Sequence, residues 1–131
     1  MKAYLKSINI ITFGPMELYP MRKIIEDTIA ESGVEIGSIL VSAEGATPAL
    51  LILEKGLEKS IIKLLEMFVP YTIWRHGNAY AHLISTILST SLIIPIKDSK
   101  IVLDRDYEIY LLETRAVYNH RRKVLIYIHG N

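Results

Sequence analysis

Asn78 and His82 are the residues of this chain whose types and spacing best suit chemistry. Asparagine is a preferred helix N-cap residue, so we expect a helix that begins at Asn78 and holds His82 in its first turns. The N-terminus of a helix offers free N–H groups and the positive end of the helix dipole. Arg75 and His76, just before it, would add positive charge. The segment therefore predicts a binding place for a phosphate or carboxylate group.

The expected helix has an uncharged polar face. At 100° per residue, Asn78, Ser85, Thr86 and Ser89 fall within about 60° of His82, and none of them is charged. An ordinary solvated helix face carries charged side chains. A neutral, hydrogen-bonding face suits the lining of a cavity or a contact with another subunit. The plainer alternative is an interfacial His82 with Asn78 acting only as a cap, and the residues alone fit both.

A metal site is only weakly indicated. His76 and His82 are six residues apart, a spacing that does not bring two side chains to one face of a helix. The chain has no cysteine, which excludes disulfides, cysteine–zinc sites and thiol nucleophiles. A divalent metal on His82 would need further ligands from elsewhere in the chain.

The densest basic segment runs from His120 to Lys123, with Arg115 nearby. It suits either a phosphate or nucleic-acid contact or a solvated connection between strands. The whole chain carries 15 Lys and Arg against 14 Asp and Glu, a net charge of +1. Nucleic-acid binders usually carry a basic excess, so this balance argues against nucleic acid as the partner.

The composition predicts one folded domain over residues 1–131. Half of the residues are hydrophobic and 22% are charged, which is too apolar for a disordered chain. No apolar run approaches the roughly 20 residues of a membrane span. The segment after Met1 has no signal-peptide pattern, so we expect a cytoplasmic location and no membrane partner. The absence of glutamine and the abundance of Lys, Glu and Ile predict a thermophilic source.

Hydrophobic periodicity predicts three helices and a set of strands that position these residues. The expected helices are Met21–Ser32, Gly56–Phe68 and Asn78–Ser89, and the expected strands are Tyr4–Thr12, Gly37–Ala43, Ala49–Leu53, Tyr71–Trp74, Ser91–Ile96, Lys100–Leu103, Tyr107–Glu113 and Lys123–His129. The strands come in adjacent pairs and do not alternate with helices. This order favours an α+β fold, with a mainly antiparallel sheet and about three helices packed on it.

The stretch Asn78-Ala79-Tyr80-Ala81-His82-Leu83 resembles the Asn-Ala-His-Ala-His-Leu motif of the YjbQ-like family, a group of small uncharacterised proteins. Ser91 to Ile96 is similar to the family's Ser-x-x-Val-Pro-Val strand, and Asp98 to Leu103 to the turn and strand that follow. Glu113 is similar to the acidic residue that ends the next strand. The pair Arg121-Arg122 is similar to the arginine-rich start of the last strand. The similarity covers most of the chain.

The chain departs from the family pattern at two of three histidines. Counting back from Glu54, the family's His-Thr-Thr-Ala stretch falls on Gly45-Ala46-Thr47-Pro48, where only the second threonine is retained. Gly45 therefore occupies one histidine position and Tyr80 occupies another. His82 alone matches. The chain resembles a divergent member of the family.

The resemblance implies a homotrimer or larger homo-oligomer with a polar pocket between subunits. Some family members have a secondary thiamine-phosphate synthase activity, which joins a pyrimidine pyrophosphate to a thiazole phosphate and expels pyrophosphate. On that resemblance His82 and Glu54 are the catalytic candidates, and His82 would hold any divalent metal cofactor. The ligand-binding candidates are Asn78, Thr47, His76, Glu113, Arg121 and Arg122.

Three hypotheses follow. The first is a small anionic ligand bound between subunits near His82, with the family's catalytic histidines partly lost. The second is a phosphate-centred transfer, similar to thiamine-phosphate synthesis, through His82, Glu54 and Arg121. The third is a structural homo-oligomer in which the uncharged helix face is only a subunit contact.

Overall fold

The computed structural model describes residues 1–131 and contains three helices and eight strands. In chain order the elements are β1 (Lys2–Thr12), β2 (Glu17–Pro20), α1 (Arg22–Ser32), β3 (Gly37–Ala43), β4 (Ala49–Glu54), α2 (Glu58–Phe68), α3 (Ala79–Leu88), β5 (Ser91–Lys97), β6 (Lys100–Ile101), β7 (Tyr107–Glu113) and β8 (His120–Gly130). All strand pairs are antiparallel. The predicted α+β class with three helices is therefore confirmed.

The strands form two sheets. The larger one has the order β1-β8-β3-β5-β6 and the smaller one the order β2-β7-β4. β1 and β8 pair along their whole length, from Lys2 opposite Gly130 to Thr12 opposite His120. β3 and β4 follow one another in the sequence but belong to different sheets. This connection therefore carries the chain from one sheet to the other, and the two strands do not pair with each other.

The prediction of a strand at Tyr71–Trp74 is wrong, because this segment is a series of bends with no partner strand. Pro70, before it, ends α2, and the Trp74 indole N–H donates to the Pro70 carbonyl at 2.6 Å. The segment instead turns the chain back toward α3. A short strand that the pattern did not indicate, β2, pairs with β7.

Two apolar clusters fill the space on either side of the small sheet. One lies between the inner face of the large sheet, α1 and one face of the small sheet; it includes Ile126, Ile25 and Leu111. The other lies between the opposite face of the small sheet and helices α2 and α3; it includes Leu112 and Ile84. The small sheet is thus buried on both faces, which explains why Ile109 to Leu112 is a continuous apolar run.

The outer face of the large sheet is left uncovered. Leu5, Tyr127, Leu40 and Ile93 lie opposite one another in register across β1, β8, β3 and β5. Ile93 is 73% exposed. With 10 or 11 residues each, the helices fall short of the length and apolar character that a membrane crossing requires.

We predict that Leu111→Ala lowers the free energy of unfolding by about 2–5 kcal/mol, because Leu111 is fully buried and its removal leaves a cavity in the first cluster. The matched control is Leu125→Ala on the outer face of β8, where Leu125 is 39% exposed; its expected cost is about 1 kcal/mol or less. Urea unfolding followed by circular dichroism measures both. Equal losses would contradict the assignment of the small sheet to the centre of the core.

Candidate functional site

Arg122 is a charged residue that faces the core. Alternate residues of β8 point inward, so Arg122 shares the inner face with Val124 and Ile126 and is only 7% exposed. Its partner is Glu113, which is fully buried at the end of β7. Arg122 Nε donates to Glu113 Oε1 at 2.8 Å, and Nη2 donates to Oε2 at 2.7 Å. This paired contact joins the large sheet to the small sheet.

Three threonines complete the network around this ion pair. The Thr12 hydroxyl, at the end of β1, donates to Glu113 Oε1 at 2.7 Å. Arg122 Nη2 also donates to the Thr47 hydroxyl at 3.0 Å, and the Thr114 hydroxyl donates to the Thr47 carbonyl at 2.6 Å. The network therefore fixes the segment between β3 and β4 against β8. No buried polar side-chain atom in the chain lacks a hydrogen-bond partner.

The surroundings of Glu113 stabilise its charged form. Burial raises the pKa of Glu113, but hydrogen bonds from Arg122 and Thr12 and the nearby guanidinium charge outweigh burial and hold the pKa below its ordinary value. The carboxylate also accepts a hydrogen bond from the Arg115 backbone N–H at 3.3 Å. Glu113 is therefore an ionised structural residue, and protein donors occupy both of its oxygens.

Arg122 still presents one nitrogen outward. Its Nη1 donates to no protein acceptor. Because no buried side-chain nitrogen or oxygen of the chain lacks a hydrogen-bond partner, Nη1 is accessible to solvent. It lies beside Gly45, where an added Cβ would stand 3.5 Å from it. A cavity of about 380 Å³ opens here on the outer side of β8. Its lining comprises Asn9, Glu44, Gly45, His120, Arg121, Arg122 and Lys123.

The charge balance of this cavity is positive. Arg121 is exposed and forms no ion pair, while Lys123 meets Glu44 only at 3.9 Å across exposed side chains. Glu44 is the one acidic residue among the seven that line the cavity. We call this surface the basic cavity.

A second cavity of about 380 Å³ adjoins the basic cavity at Gly45 and reaches α3. Ser85, Thr86 and Ser89 line it from the helix, together with Ala46. The uncharged face of α3 borders this cavity for part of its length. Ser85 is buried, and its hydroxyl donates to the Pro48 carbonyl at 2.7 Å.

His82 lies one turn before Ser85 and Thr86 on α3, exposed and outside both cavities. The His76 ring approaches it, with 6.1 Å between the ring centroids. Helical spacing does not describe this pair, because His76 lies in the loop before α3 and not on the helix. They are nevertheless only two ligands, and no group of three or more His, Cys, Asp or Glu side chains in the chain could hold a metal ion.

Asn78 is the residue before the first turn of α3, but its side chain does not cap the helix. Its Oδ1 lies 2.8 Å from His76 Nδ1. The predicted capping role is therefore wrong, because the side chain instead bonds His76. This contact holds the His76 ring near His82.

Comparison with known proteins finds one family that matches nearly the whole chain. The sequence profile of the family described as UPF0047 protein YjbQ-like matches residues 6–131. This chain belongs to the YjbQ-like family. A UPF0047 protein of Archaeoglobus fulgidus is 36% identical over 84 residues, which is 59% of this chain and 67% of that protein.

Solved structures agree with this membership. A YjbQ-like protein of unknown function from Sulfolobus solfataricus superposes with a TM-score of 0.93 at 26% identity, covering 99% of each chain. A hypothetical protein from Aeropyrum pernix superposes with a TM-score of 0.89 at 22% identity, covering 98% of this chain and 99% of its own, and shows the fold alone.

Within the YjbQ-like motif, Tyr80 points into the protein. It is 7% exposed, its hydroxyl donates to the Thr114 carbonyl at 2.8 Å, and its ring packs edge-on against Tyr71. Burial raises the pKa of Tyr80 above its ordinary value. The positive charge of Arg115 lowers this pKa and the negative charge of Glu113 raises it, but burial has the largest effect. The phenol is therefore neutral and committed to the core, so it cannot stand in for an imidazole in the cavity.

Gly45 adopts a φ of +114° at the junction of the two cavities. A side chain is strained in this conformation, and an added Cβ would also lie 3.3 Å from Pro48 Cδ. Histidine does not fit this backbone without rearrangement. Gly45 therefore leaves an opening beside Arg122.

Glu54 lies away from the other candidates. It ends β4, whereas Thr47 precedes that strand. At about 3.3 Å per residue, Glu54 stands roughly 17 Å from Ala49 at the strand's start. Its side chain is exposed at the end of the sheet opposite the basic cavity. The structure therefore does not bring Glu54 together with His82 or Arg121.

Sequence reasoning missed Asn9 and Thr12 as neighbours of this site. Both lie on β1, and their position follows from its pairing with β8, where Asn9 is opposite Lys123 and Thr12 is opposite His120. The available signal was a polar pair, Asn9 and Thr12, within the otherwise apolar end of a strand. Periodicity alone does not reveal the strand that faces them.

We predict that Glu113→Gln lowers the free energy of unfolding at pH 7 by about 3–5 kcal/mol, because it leaves the buried Arg122 charge unpaired. Since the folded pKa of Glu113 lies below the ordinary value of 4.5, the ion pair contributes fully above that value and is lost as the pH falls through the folded pKa. The difference between wild type and variant should therefore narrow below pH 4.5. Denaturant unfolding at pH 7 and pH 3 measures it.

The control is Glu44→Gln, which removes an exposed carboxylate from the same region. Its expected effect is about 1 kcal/mol or less at either pH. A Glu113→Gln loss no larger than that of the control would contradict the structural role of the ion pair.

Proposed function

We propose that this protein binds a small phosphate- or carboxylate-bearing ligand in the basic cavity, between subunits of a homo-oligomer. The observation that carries the proposal is the meeting of three cations at one opening. Arg121 is free of ion pairs, Lys123 is only loosely paired, and Arg122 Nη1 faces the same space. Arginine presents a planar fork of donors that matches carboxylate and phosphate oxygens.

Pre-organisation supports this assignment. Arg122 cannot rotate freely, because two of its nitrogens are bonded to Glu113 and Thr47. Its remaining nitrogen is therefore held in one position, and an arriving anion need not order that side chain. The entropy cost of binding is reduced accordingly. Gly45 leaves the approach open, because it has no side chain to cover Arg122.

The exposed face of α3 favours the proposal of a contact with a second subunit. His82, Leu83, Thr86 and Ile87 are exposed on this face, and Ile87 is 65% exposed. A helix face with exposed apolar side chains and no charge is poorly suited to water. A second subunit packed there would cover this face and would close the cavity that Ser89 and Thr86 line. His82 would then lie at the subunit contact and not in the lining of the ligand site.

The alternative is a transferase similar to thiamine-phosphate synthase. Arg121, Arg122 and Lys123 are suited to hold a phosphate or pyrophosphate group and to stabilise its charge. His82 is the remaining imidazole for proton transfer, whereas Glu54 lies at the opposite end of β4 and would not reach the same substrate. With Gly45 and Tyr80 at the other two positions, we rank binding above catalysis.

We predict that Arg121→Gln weakens the binding of inorganic phosphate by roughly five- to tenfold, because it removes the unpaired cation of the basic cavity. Isothermal titration calorimetry at fixed ionic strength measures the affinity. Lys63→Gln removes an equal charge from an exposed position on α2 and is expected to leave the affinity unchanged. Equal weakening by both variants would indicate a general charge effect and would contradict the site.

A turnover assay with the two thiamine precursors separates binding from catalysis. Wild type and His82→Ala are compared under identical conditions. Turnover that depends on His82 would favour the transferase. Phosphate binding without turnover would favour the binding protein.

We predict that Ile87→Asp dissociates the oligomer, because it places a charge in the centre of the proposed subunit contact. Sedimentation equilibrium measures the mass against 14.9 kDa for one chain. Met67→Asp, at a similarly exposed position on α2, is the control and should leave the mass unchanged. A monomeric wild type would overturn the inter-subunit part of the proposal. A stable oligomer that binds no phosphate would favour the purely structural alternative.

A further inference from the structure

A separate cavity of about 580 Å³ lies at the end of the molecule where β4 finishes. Four parts of the chain enclose it: the first turns of α1, the β6 strand with the loop that follows it, the start of β7, and the turn between β4 and α2. Its lining comprises Arg22, Lys23, Glu26, Lys55, Lys100, Ile101, Leu103, Arg105 and Glu108. This cavity and the basic cavity have no lining residue in common. We call this surface the distal cavity.

Arg22 builds one wall of the distal cavity. Its guanidinium donates to the backbone carbonyls of Leu103, Asp104 and Tyr107. These three bonds hold the loop between β6 and β7 against the start of α1. The loop carries Arg105, so the position of Arg105 along the rim is fixed by protein contacts. The wall thus forms without a ligand.

The two carboxylates of the distal cavity are already engaged. Glu108 Oε2 accepts hydrogen bonds from the backbone N–H groups of Arg22 and Ile109, both at 2.8 Å. Glu26 Oε1 accepts from Arg22 Nε at 3.3 Å. Both carboxylates therefore bond to Arg22 in the wall of the cavity, and neither pairs with a lysine or with Arg105.

Three cations of the distal cavity have no acidic partner. Lys55, Lys100 and Arg105 take part in none of the ion pairs of the chain. They come from three different segments: the turn after β4, the β6 strand and the β6–β7 loop. Lys23 differs, because it pairs with Asp27 at 2.9 Å. Like charges that surround one cavity repel each other and raise its affinity for anions.

The floor of the distal cavity is apolar. Ile101 is 7% exposed, and Leu103 is partly buried against the first apolar cluster. An anion of phosphate alone would leave this floor uncovered. A ring or other apolar group attached to the phosphates would cover it and gain its burial.

We infer that the distal cavity binds a small organic anion with two or more phosphate groups and an attached ring, such as a nucleoside diphosphate. Cations on three separate segments offer donors to more than one phosphate group. The ring would lie on Ile101 and Leu103. This site is independent of the ligand proposed for the basic cavity.

The test is calorimetric titration of the whole protein with ADP, pyrophosphate and inorganic phosphate at one ionic strength. We expect ADP to bind more tightly than pyrophosphate, and inorganic phosphate to bind the distal cavity at least about tenfold more weakly than pyrophosphate. The double variant Lys100→Gln, Arg105→Gln should weaken ADP binding by at least about tenfold. It leaves Arg22 and its three loop contacts in place, and an unchanged thermal melt would establish that the variant folds.

Two controls separate this site from other sources of binding. The double variant Lys59→Gln, Lys63→Gln removes the same charge from the exposed side of α2, and Arg121→Gln alters the basic cavity. We expect both to keep ADP affinity within about twofold of wild type. The inference is overturned if wild type does not bind ADP, if Lys100→Gln, Arg105→Gln binds it normally, or if Arg121→Gln removes the binding.

Discussion

Arg122 and Glu113 meet between the two sheets, where Glu113 is fully buried and Arg122 is 7% exposed, and much of the surrounding structure is arranged to satisfy their charges. A charge placed in an apolar interior is unfavourable unless it is paired and fully hydrogen-bonded. Here the remaining acceptor sites of Glu113 are filled from β1 and from the loop after β7. One ion pair therefore determines how four separate segments come together, although the apolar clusters supply most of the stabilisation.

The same constraint shapes the surface above it. Glu113 and Thr47 occupy all but one nitrogen of Arg122, so the part that reaches solvent is small and fixed in direction. Gly45 lies beside that nitrogen and has a positive φ, and α3 is attached to the same segment through Ser85 and Pro48. The basic cavity and the uncharged face of α3 thus both border the segment between β3 and β4. A change at the buried pair would disturb both.

The sequence was most informative where a signal is local. Helix periodicity gave α2 and α3 to within a few residues, because an amphipathic stripe is repeated along one segment. It could not indicate that β3 and β4 lie in different sheets, because that choice depends on which distant strands, β8 and β7, compete for them. The proximity of His76 to His82 was missed for a related reason: the loop folds back through Trp74 and Pro70, a path that spacing on an ideal helix does not describe.

Tyr80 and Gly45 have different physical effects on the chemistry open to the surface around α3. At Tyr80 the side chain turns inward and bonds Thr114, which closes the inner side of α3 to any ligand. At Gly45 the absence of a side chain instead leaves the approach to Arg122 open. The two positions thus provide a buried phenol on one side and an exposed guanidinium nitrogen on the other, and neither provides an imidazole. Because guanidinium stays protonated at physiological pH, such a site is suited to holding a negative charge rather than to exchanging protons.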